Sequence, residues 1–228
     1  MADLESPSSP DELYRYRGDE VLLARPVFQG DVFENVAIPG FDDGPGLAIV
    51  LTHACTMRGP GGMLKDRLLV GRVTVSDSPK RWRGDFAFMP LPELTPGEGS
   101  ANWCVSLEDV GALRAGLLDV NRRIACLSDR GVVLLQQRQA HHFTRYVVET
   151  SVLYEQTGPA LLEAELMEDW LDAHLRDVAE RDWTAAHEAQ TRAFDEYFAQ
   201  YRQAAKEPSR WSSIRSAVRT ELASRTET

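Results

Sequence analysis

The chain of 228 residues has few cysteines, no long apolar run and a deficit of positive charge. Its three cysteines, Cys55, Cys104 and Cys126, are an odd number without close pairing, which argues against a disulfide framework and for a reducing compartment. No apolar stretch approaches the about 20 residues that a membrane-spanning helix needs, and the N-terminus lacks the layout of a secretory signal. These absences predict a cytoplasmic protein without a membrane partner.

Basic residues are outnumbered, since 25 Lys and Arg face 35 Asp and Glu for a formal net charge of -10. Proteins hold duplex nucleic acid largely by neutralising its phosphates, so this charge excludes wrapping around the whole molecule but allows a local basic groove. The best candidate is the run Lys80-Arg81-Trp82-Arg83, because bases stack on Trp while cations follow phosphates. The alternative is an ordinary exposed turn with Trp82 tucked against the fold.

Glycine is absent and proline nearly absent from residues 160–228, which predicts a helical extension over 158–228 after a break at Gly158-Pro159. Its residues 163–196 carry eleven acidic side chains against three basic ones, whereas residues 197–228 are basic. This pattern suits docking on a protein partner or a second copy, and equally suits a solvated helical face. The large apolar side chains predicted to bind a partner, or else to pack within the fold, are Trp170, Phe194, Tyr197 and Tyr201.

Residues 1–18 are predicted to be a flexible tail with a short helix that starts near Pro10, and residues 19–150 a strand-rich domain with a closing helix. The strands are expected between residues 21 and 38, and at 47–51, 67–75, 101–107 and 124–127, with a short helix or turn at 109–118. Ser128 suits the N-cap of a helix that reaches about Glu149. In that helix we expect Gln136, Gln137, Arg138 and Gln139 on the outer face and Val133, Leu134, Phe143 and Tyr146 in the core.

His53 and Cys55 follow the strand predicted over residues 47–51. On a continued strand they would share a face, as a Cys–His nucleophile pair requires, although the sequence identifies no third orienting residue. The alternative is a small buried thiol beside a polar edge residue. A zinc site would need His141 and His142 as well, but neighbours on a helix diverge by about 100° and the ligand spacings typical of zinc are missing. We therefore expect no metal and no cofactor.

Several segments, in this order, resemble the MazF/PemK-like toxin family and a longer bacterial group with a similar barrel. They are Gly30-Asp31-Val32-Phe33, residues 47–52, residues 67–74, residues 103–118 and Arg123 to Ser128, so that the resemblance covers roughly residues 26–148. It implies an α+β fold, a small SH3-like β-barrel with attached helices, followed here by a C-terminal helical extension. Members of the family are typically dimeric, metal-independent, sequence-specific endoribonucleases.

The resemblance also implies an arginine before the second core strand and a threonine at the end of the next strand, both acting on the phosphodiester. Thr74 matches the threonine, but the arginine position falls near Gly46. The loop from Gly40 to Leu47 contains two carboxylates and no basic residue. RNA cleavage builds negative charge that a preorganised cation stabilises, so this loop, with Asp42 and Asp43, argues against the usual chemistry.

Arg25, Arg58 and Arg72 are the arginines that could replace the missing cation. The features together favour a non-catalytic binding or adaptor protein with a MazF/PemK-like barrel, in a bacterial conflict or anti-phage defence system. It would contact a protein partner through its C-terminal helices, or nucleic acid through residues 80–83 and Arg58. The first alternative is an endoribonuclease toxin with a rearranged site around Thr74, His53 and Arg72, and the second is an enzyme that depends on Cys55 and His53.

Overall fold

The computed structural model describes residues 4–41, 44–95 and 101–226. The chain forms two compact units. One comprises the described residues up to Leu23, from Val27 to His53 and from Lys65 to Tyr154; the other comprises Ala24–Pro26, Ala54–Leu64 and the chain from Glu155 onwards. Asp42 and Asp43, the carboxylates of the predicted loop, lie outside the described residues.

The first unit is α+β, with a curled, seven-stranded antiparallel sheet that forms a half-barrel. Its strands lie in the order β1-β7-β2-β3-β4-β6-β5. The strands are β1 (Tyr14–Arg17), β2 (Asp31–Val36), β3 (Gly46–Val50), β4 (Arg67–Val75), β5 (Phe88–Pro90), β6 (Trp103–Arg114) and β7 (Arg123–Leu127).

The long apolar strands lie where the sequence predicts them, since β4 has the predicted bounds and β3 is shifted by one residue. The prediction of a helix or turn at residues 109–118 is wrong as far as Arg114, because β6 continues to that residue and pairs with β4 as far as Arg67. It is confirmed for Ala115–Leu117, which form a 3-10 helix. The register of this pair shifts beside Gly71, where Ser106 accepts hydrogen bonds from two following amides. Because of this bulge, β6 remains one strand although the alternation of apolar residues is interrupted between Val105 and Val110.

Two helices of the first unit, α1 (Pro10–Leu13) and α2 (Asp129–Thr144), lie near the N-terminal segment. The predicted N-cap is present, because Ser128 Oγ accepts a hydrogen bond of 3.0 Å from the amide of Gly131. The segment predicted as a flexible tail contacts α2: Leu4 is buried, and the amide of Glu5 donates to Gln137 Oε1 at 2.8 Å.

The predicted faces of α2 are reversed from Gln136 onward, and the helix ends at Thr144 rather than near Glu149, so that Tyr146 lies beyond it. Gln136, Gln137 and Arg138 are buried, whereas Phe143 is 58% and Tyr146 75% exposed. The buried amides are satisfied by partners within the unit: Gln136 Nε2 donates to Gln29 Oε1 at 2.8 Å, and Gln137 Nε2 to the carbonyl of Val148 at 2.9 Å. Burial of polar groups with such partners carries little penalty, so helical periodicity of apolar residues misled the prediction here.

The second unit is helical. Helix α3 (Thr150–Leu175) begins in the first unit and continues into the second, which also contains α4 (Glu180–Phe198) and α5 (Trp211–Thr226). The predicted break at Gly158-Pro159 is wrong, because α3 passes through both residues. A Cβ on Gly158 would lie 2.5 Å from the ring of Trp211, so glycine serves close packing at this point. No helix in the described part of the chain is both long and apolar enough to cross a bilayer.

Candidate nucleic-acid interface

The predicted Thr74 lies at the end of β4, paired with Cys104 of β6, which in turn pairs with Pro90 of β5. Side chains two apart on a strand share a face, so Arg72 and Thr74 lie on the same side of the sheet. The pKa of the Cys104 thiol is raised mainly by burial; the Thr74 side chain and Lys80 act to lower it and Asp85 to raise it. The end of β4 and the segment from Lys80 to Asp85 therefore lie close together.

The position that the resemblance assigns to an arginine lies beside Thr74. Leu47 pairs with Val73 across β3 and β4, and continuing this antiparallel register by one residue brings Gly46 opposite Thr74. The two positions are thus neighbours, but Gly46 has no side chain to contact a phosphate.

Of the three arginines considered as replacements, Arg72 alone is in the same unit as Thr74. Arg25 is buried in the helical unit, where it pairs with Glu168 at 2.5 Å. Arg58, also in that unit, donates to the carbonyl of Gly62 at 2.6 Å. The guanidinium of Arg72 lies 5.5 Å from the centre of the Phe41 ring. Arg72 and Phe41 line a small cleft, whose other lining residues are Val36, Ile38, Gly44, Gly46 and Leu47.

The basic run at residues 80–83 precedes β5 in a loop. Lys80 is partly buried with its ammonium 4.4 Å from the centre of the Phe88 ring, while Arg81 and Arg83 are exposed. The loop is closed by Asp85, whose Oδ2 accepts the amide of Arg81 at 2.8 Å. Arg81 and Arg83 are therefore exposed on a loop in which the Asp85 carboxylate accepts the amide of Arg81 and the Asp85 carbonyl accepts the amide of Phe88.

Arg138 of α2 holds this loop and was missed by the sequence analysis, which placed it on the outer face. Its side chain is fully buried, and its guanidinium donates to the carbonyls of Trp82, Asp85 and Phe88, the last at 2.5 Å. It also lies 4.8 Å from the centre of the Trp82 ring, a cation–π contact. Burial lowers the pKa of Arg138 to about 10, so it stays charged at neutral pH. No local sequence signal distinguishes it from a solvated helical arginine.

The proposed nucleophile pair loses its geometric basis. Strand β3 ends at Val50, and residues 54–56 form a short 3-10 helix, so the two-residue spacing of His53 and Cys55 no longer places them on one strand face. Burial raises the pKa of the Cys55 thiol, whose Sγ lies 3.7 Å from the carbonyl oxygen of Gln156, and burial lowers the pKa of His53. A raised thiol pKa is the opposite of what activates a cysteine.

The histidines of α2 lie at its C-terminal turn. The His141 ring packs on Phe86 with centroids 4.9 Å apart, and the His142 ring contacts Phe143 edge-on at 4.9 Å. The pKa of His141 is lowered, first by burial and then by the charges of Arg145, Arg138 and His142. Within the described ranges, no three His, Cys, Asp or Glu side chains are grouped as a metal site.

The apolar residues predicted to bind a partner lie in or against the core of the helical unit. Trp170 and Phe194 are 1% and 0% exposed, which removes them as contact residues of the folded chain. Tyr197 and Tyr201 pack partly buried against that core. These large side chains of α4 pack on α3 within the unit, as the ring contacts of Trp170 with Phe194 and Tyr197 show.

The opposite charges of the helical unit pair with one another. Arg215 forms a bidentate pair with Glu165, with contacts of 2.7 and 2.9 Å, and Arg219 contacts both Glu165 and Asp169. Arg202 contacts Glu163 at 3.0 Å and also Asp195. The acidic and basic halves thus complement each other within the unit, and the charge pattern needs no partner to explain it.

Comparison with protein-family models gives no match, and comparison with curated proteins gives no significant match.

Proposed function

We propose that the protein binds RNA without cleaving it, as a binding or adaptor protein built on an SH3-like barrel of the MazF/PemK type. The observation that carries this is the lack of a cationic side chain at Gly46, the residue next to Leu47, which pairs with Val73 beside Thr74. Where the resembling enzymes have a cation beside the threonine, Gly46 provides none, yet the nearby loop presents Arg81 and Arg83. The loop thus has groups that bind phosphate, whereas the position of Gly46 has no side chain that could stabilise the transition state. The resemblance supports a role in a bacterial conflict or defence system.

Charge reversal at the loop tests RNA binding. Arg81→Glu/Arg83→Glu should weaken the binding of a fluorescein-labelled RNA by at least about tenfold and reduce the salt dependence of binding by about two phosphate contacts. Fluorescence anisotropy at several salt concentrations measures both. The matched control is Arg67→Glu/Arg114→Glu, which changes the net charge equally on two exposed, paired arginines at the opposite end of β4 and β6. Equal loss in both variants would contradict a specific interface.

A metal-independent endoribonuclease is the second candidate, because Arg72 shares a face with Thr74 and lies on the same strand. In this case Arg72 would supply the cation missing at Gly46. Incubation of a long RNA with the wild type, Thr74→Ala and Arg72→Ala decides between the two. We expect an uncut RNA in all three; cuts at defined sites that disappear in both variants would establish the nuclease instead.

A further inference from the structure

A second cationic and aromatic surface adjoins the loop at residues 80–86. It is the C-terminal turn of α2 and the residues that follow, and its exposed members are Phe143, Arg145 and Tyr146. The connection to the loop is direct, since the ring of Phe86 contacts the ring of His141 with centroids 4.9 Å apart. All these residues are in the first unit.

The aromatic rings are unusual in being presented to solvent. Phe143 is 58% exposed and Tyr146 75% exposed, although both are large side chains whose burial would be favourable. Exposed aromatic rings close to cations are the features on which unpaired bases stack in single-stranded nucleic-acid binding.

The backbone places Tyr146 firmly. Arg145 adopts a left-handed conformation with φ 64°, which is less favourable for a residue with a side chain than for glycine. Its amide donates a hydrogen bond to the carbonyl of His141 at 2.7 Å. Thr144 Oγ1 accepts the amide of Tyr146 at 3.2 Å and donates to the carbonyl of Ala140 at 2.5 Å. The chain therefore turns sharply at Arg145, and the hydrogen bond from the Tyr146 amide to Thr144 fixes the backbone of Tyr146, whose ring is exposed.

We propose that unpaired bases stack on Phe143 and Tyr146 while the phosphates of the same strand contact Arg145 and the loop arginines Arg81 and Arg83. The surface so defined, from the loop across Phe86 and His141 to Tyr146, takes a single strand in preference to a duplex, because paired bases have no free face to stack. This inference rests on the RNA binding proposed above, and adds a base-stacking subsite on α2 to the phosphate contacts of the loop.

The test separates bases from phosphates. The probes are a fluorescein-labelled oligouridylate, an abasic oligomer with the same number of phosphates, and a duplex of the same length. The wild type should bind the oligouridylate at least about tenfold more tightly than the abasic oligomer, since stacking on aromatic side chains is strong enough for such a difference. It should also prefer the oligouridylate to the duplex.

Phe143→Ser/Tyr146→Ser should lose this preference and bind the oligouridylate and the abasic oligomer with similar affinity. The control is Leu117→Ser, a 63% exposed apolar side chain between β6 and β7, which should leave the preference unchanged. Equal affinity of the wild type for both oligomers, or an unchanged preference in the double variant, would overturn the stacking subsite. If light scattering shows wild-type self-association that the double variant lacks, the rings serve a contact between copies and the proposal is likewise wrong.

The failure of the stacking subsite can be told apart from failure of RNA binding itself. If Arg81→Glu/Arg83→Glu weakens binding and Phe143→Ser/Tyr146→Ser does not, RNA binding stands and the α2 subsite falls. If the wild type binds none of the three probes, both proposals fall.

Discussion

Arg138 links α2 to a loop that precedes it by some fifty residues in the chain. Its guanidinium has several donors in one plane, and three carbonyls of the segment 82–88 accept from them. The ring of Trp82 covers it at 4.8 Å. One side chain therefore stabilises the conformation of the loop that carries the exposed residues Arg81 and Arg83.

Arg138→Met should lower the free energy of unfolding by about 2–4 kcal/mol, because three carbonyls lose a charged donor that is itself buried, and hydrogen bonds to charged groups are strong. Urea unfolding measures the change. The control Arg114→Met, at an exposed arginine of β6, should alter stability by less than about 0.5 kcal/mol. Similar midpoints for the two variants would show that Arg138 does not support the loop.

Glu5 gives the N-terminal segment a dependence on pH. Its pKa is lowered from an ordinary value of 4.5, first by a hydrogen bond from Thr150 and then by Arg130, which lies 2.7 Å from Glu5 Oε2. A carboxyl with a lowered folded-state pKa stabilises the fold above its unfolded pKa and loses that contribution as the pH falls through the folded value. The stabilising effect of Glu5 is thus complete at neutral pH.

Glu5→Gln keeps the hydrogen-bonding shape and removes the charge. We expect the variant to be less stable than the wild type at neutral pH. The difference in the free energy of unfolding should narrow as the pH falls below about 4.5, where the carboxyl of the unfolded chain protonates, and should vanish below the lowered pKa of the folded state. Urea unfolding across this range gives the difference at each pH. If the difference in the free energy of unfolding between the two proteins stayed constant down to the lowest pH, the charge of Glu5 would contribute nothing to stability.

At the scale of elements, α2 is positioned by close approach of its first turn to the N-terminal segment. Ser128 caps the helix, and its hydroxyl also donates to the carbonyl of Glu12 at 2.6 Å. A Cβ on Gly131 would lie 2.3 Å from the carbonyl oxygen of Leu13, which is backbone and cannot move aside alone. The glycine in this turn is therefore needed for packing, although glycine usually weakens a helix.

Gly131→Ala should lower the free energy of unfolding by about 1–3 kcal/mol, because overpacking outweighs the gain in helix propensity. Thermal unfolding followed by circular dichroism measures it. Gly116→Ala is the matched control, since nothing lies within 4 Å of its added Cβ. If Gly131→Ala were as stable as Gly116→Ala, α1 would not pack against α2 as closely as the structure indicates.

At the scale of the whole molecule, the chain enters the helical unit three times. Ala24–Pro26 and Ala54–Leu64 belong to that unit together with the chain from Glu155 onwards. Arg25 pairs there with Glu168 at 2.5 Å, and both side chains are about 5% exposed or less. Removing one partner of a buried ion pair is strongly destabilising, so the C-terminal helices are not a simple appendage.

A chain that ends at Tyr154 should therefore be less stable than the full chain, with a lower and broader urea transition. It would retain Arg25 and residues 54–64 without the helices that complete their unit. A chain that ends at Ser224, with α5 cut within its last turn, is the control and should unfold like the full chain. An equally cooperative, equally stable transition for the shorter chain would mean that the sheet-containing unit folds independently of the rest.

The sequence predicted the strands better than the environment of individual side chains. Arg67–Val75 and the Ser128 cap were predictable because β-branched alternation and capping chemistry are local. The burial of Arg138 and the exposure of Tyr146 were not, because the first depends on carbonyls of a distant loop and the second on the end of α2 at Thr144. Local pattern also suggested a break at Gly158-Pro159, which the packing of Gly158 on Trp211 overrides.

The sequence by itself determined a strand-rich α+β unit followed by helices, and a local basic run at residues 80–83 in an acidic chain. Only the tertiary structure decided which residues meet. It paired Leu47, next to Gly46, with Val73, next to Thr74; it placed the basic loop over Arg138; and it left the rings of Phe143 and Tyr146 exposed. The reason is physical: strand and cap preferences act between near neighbours, whereas burial and hydrogen-bond partners are set by chain segments that only folding brings together.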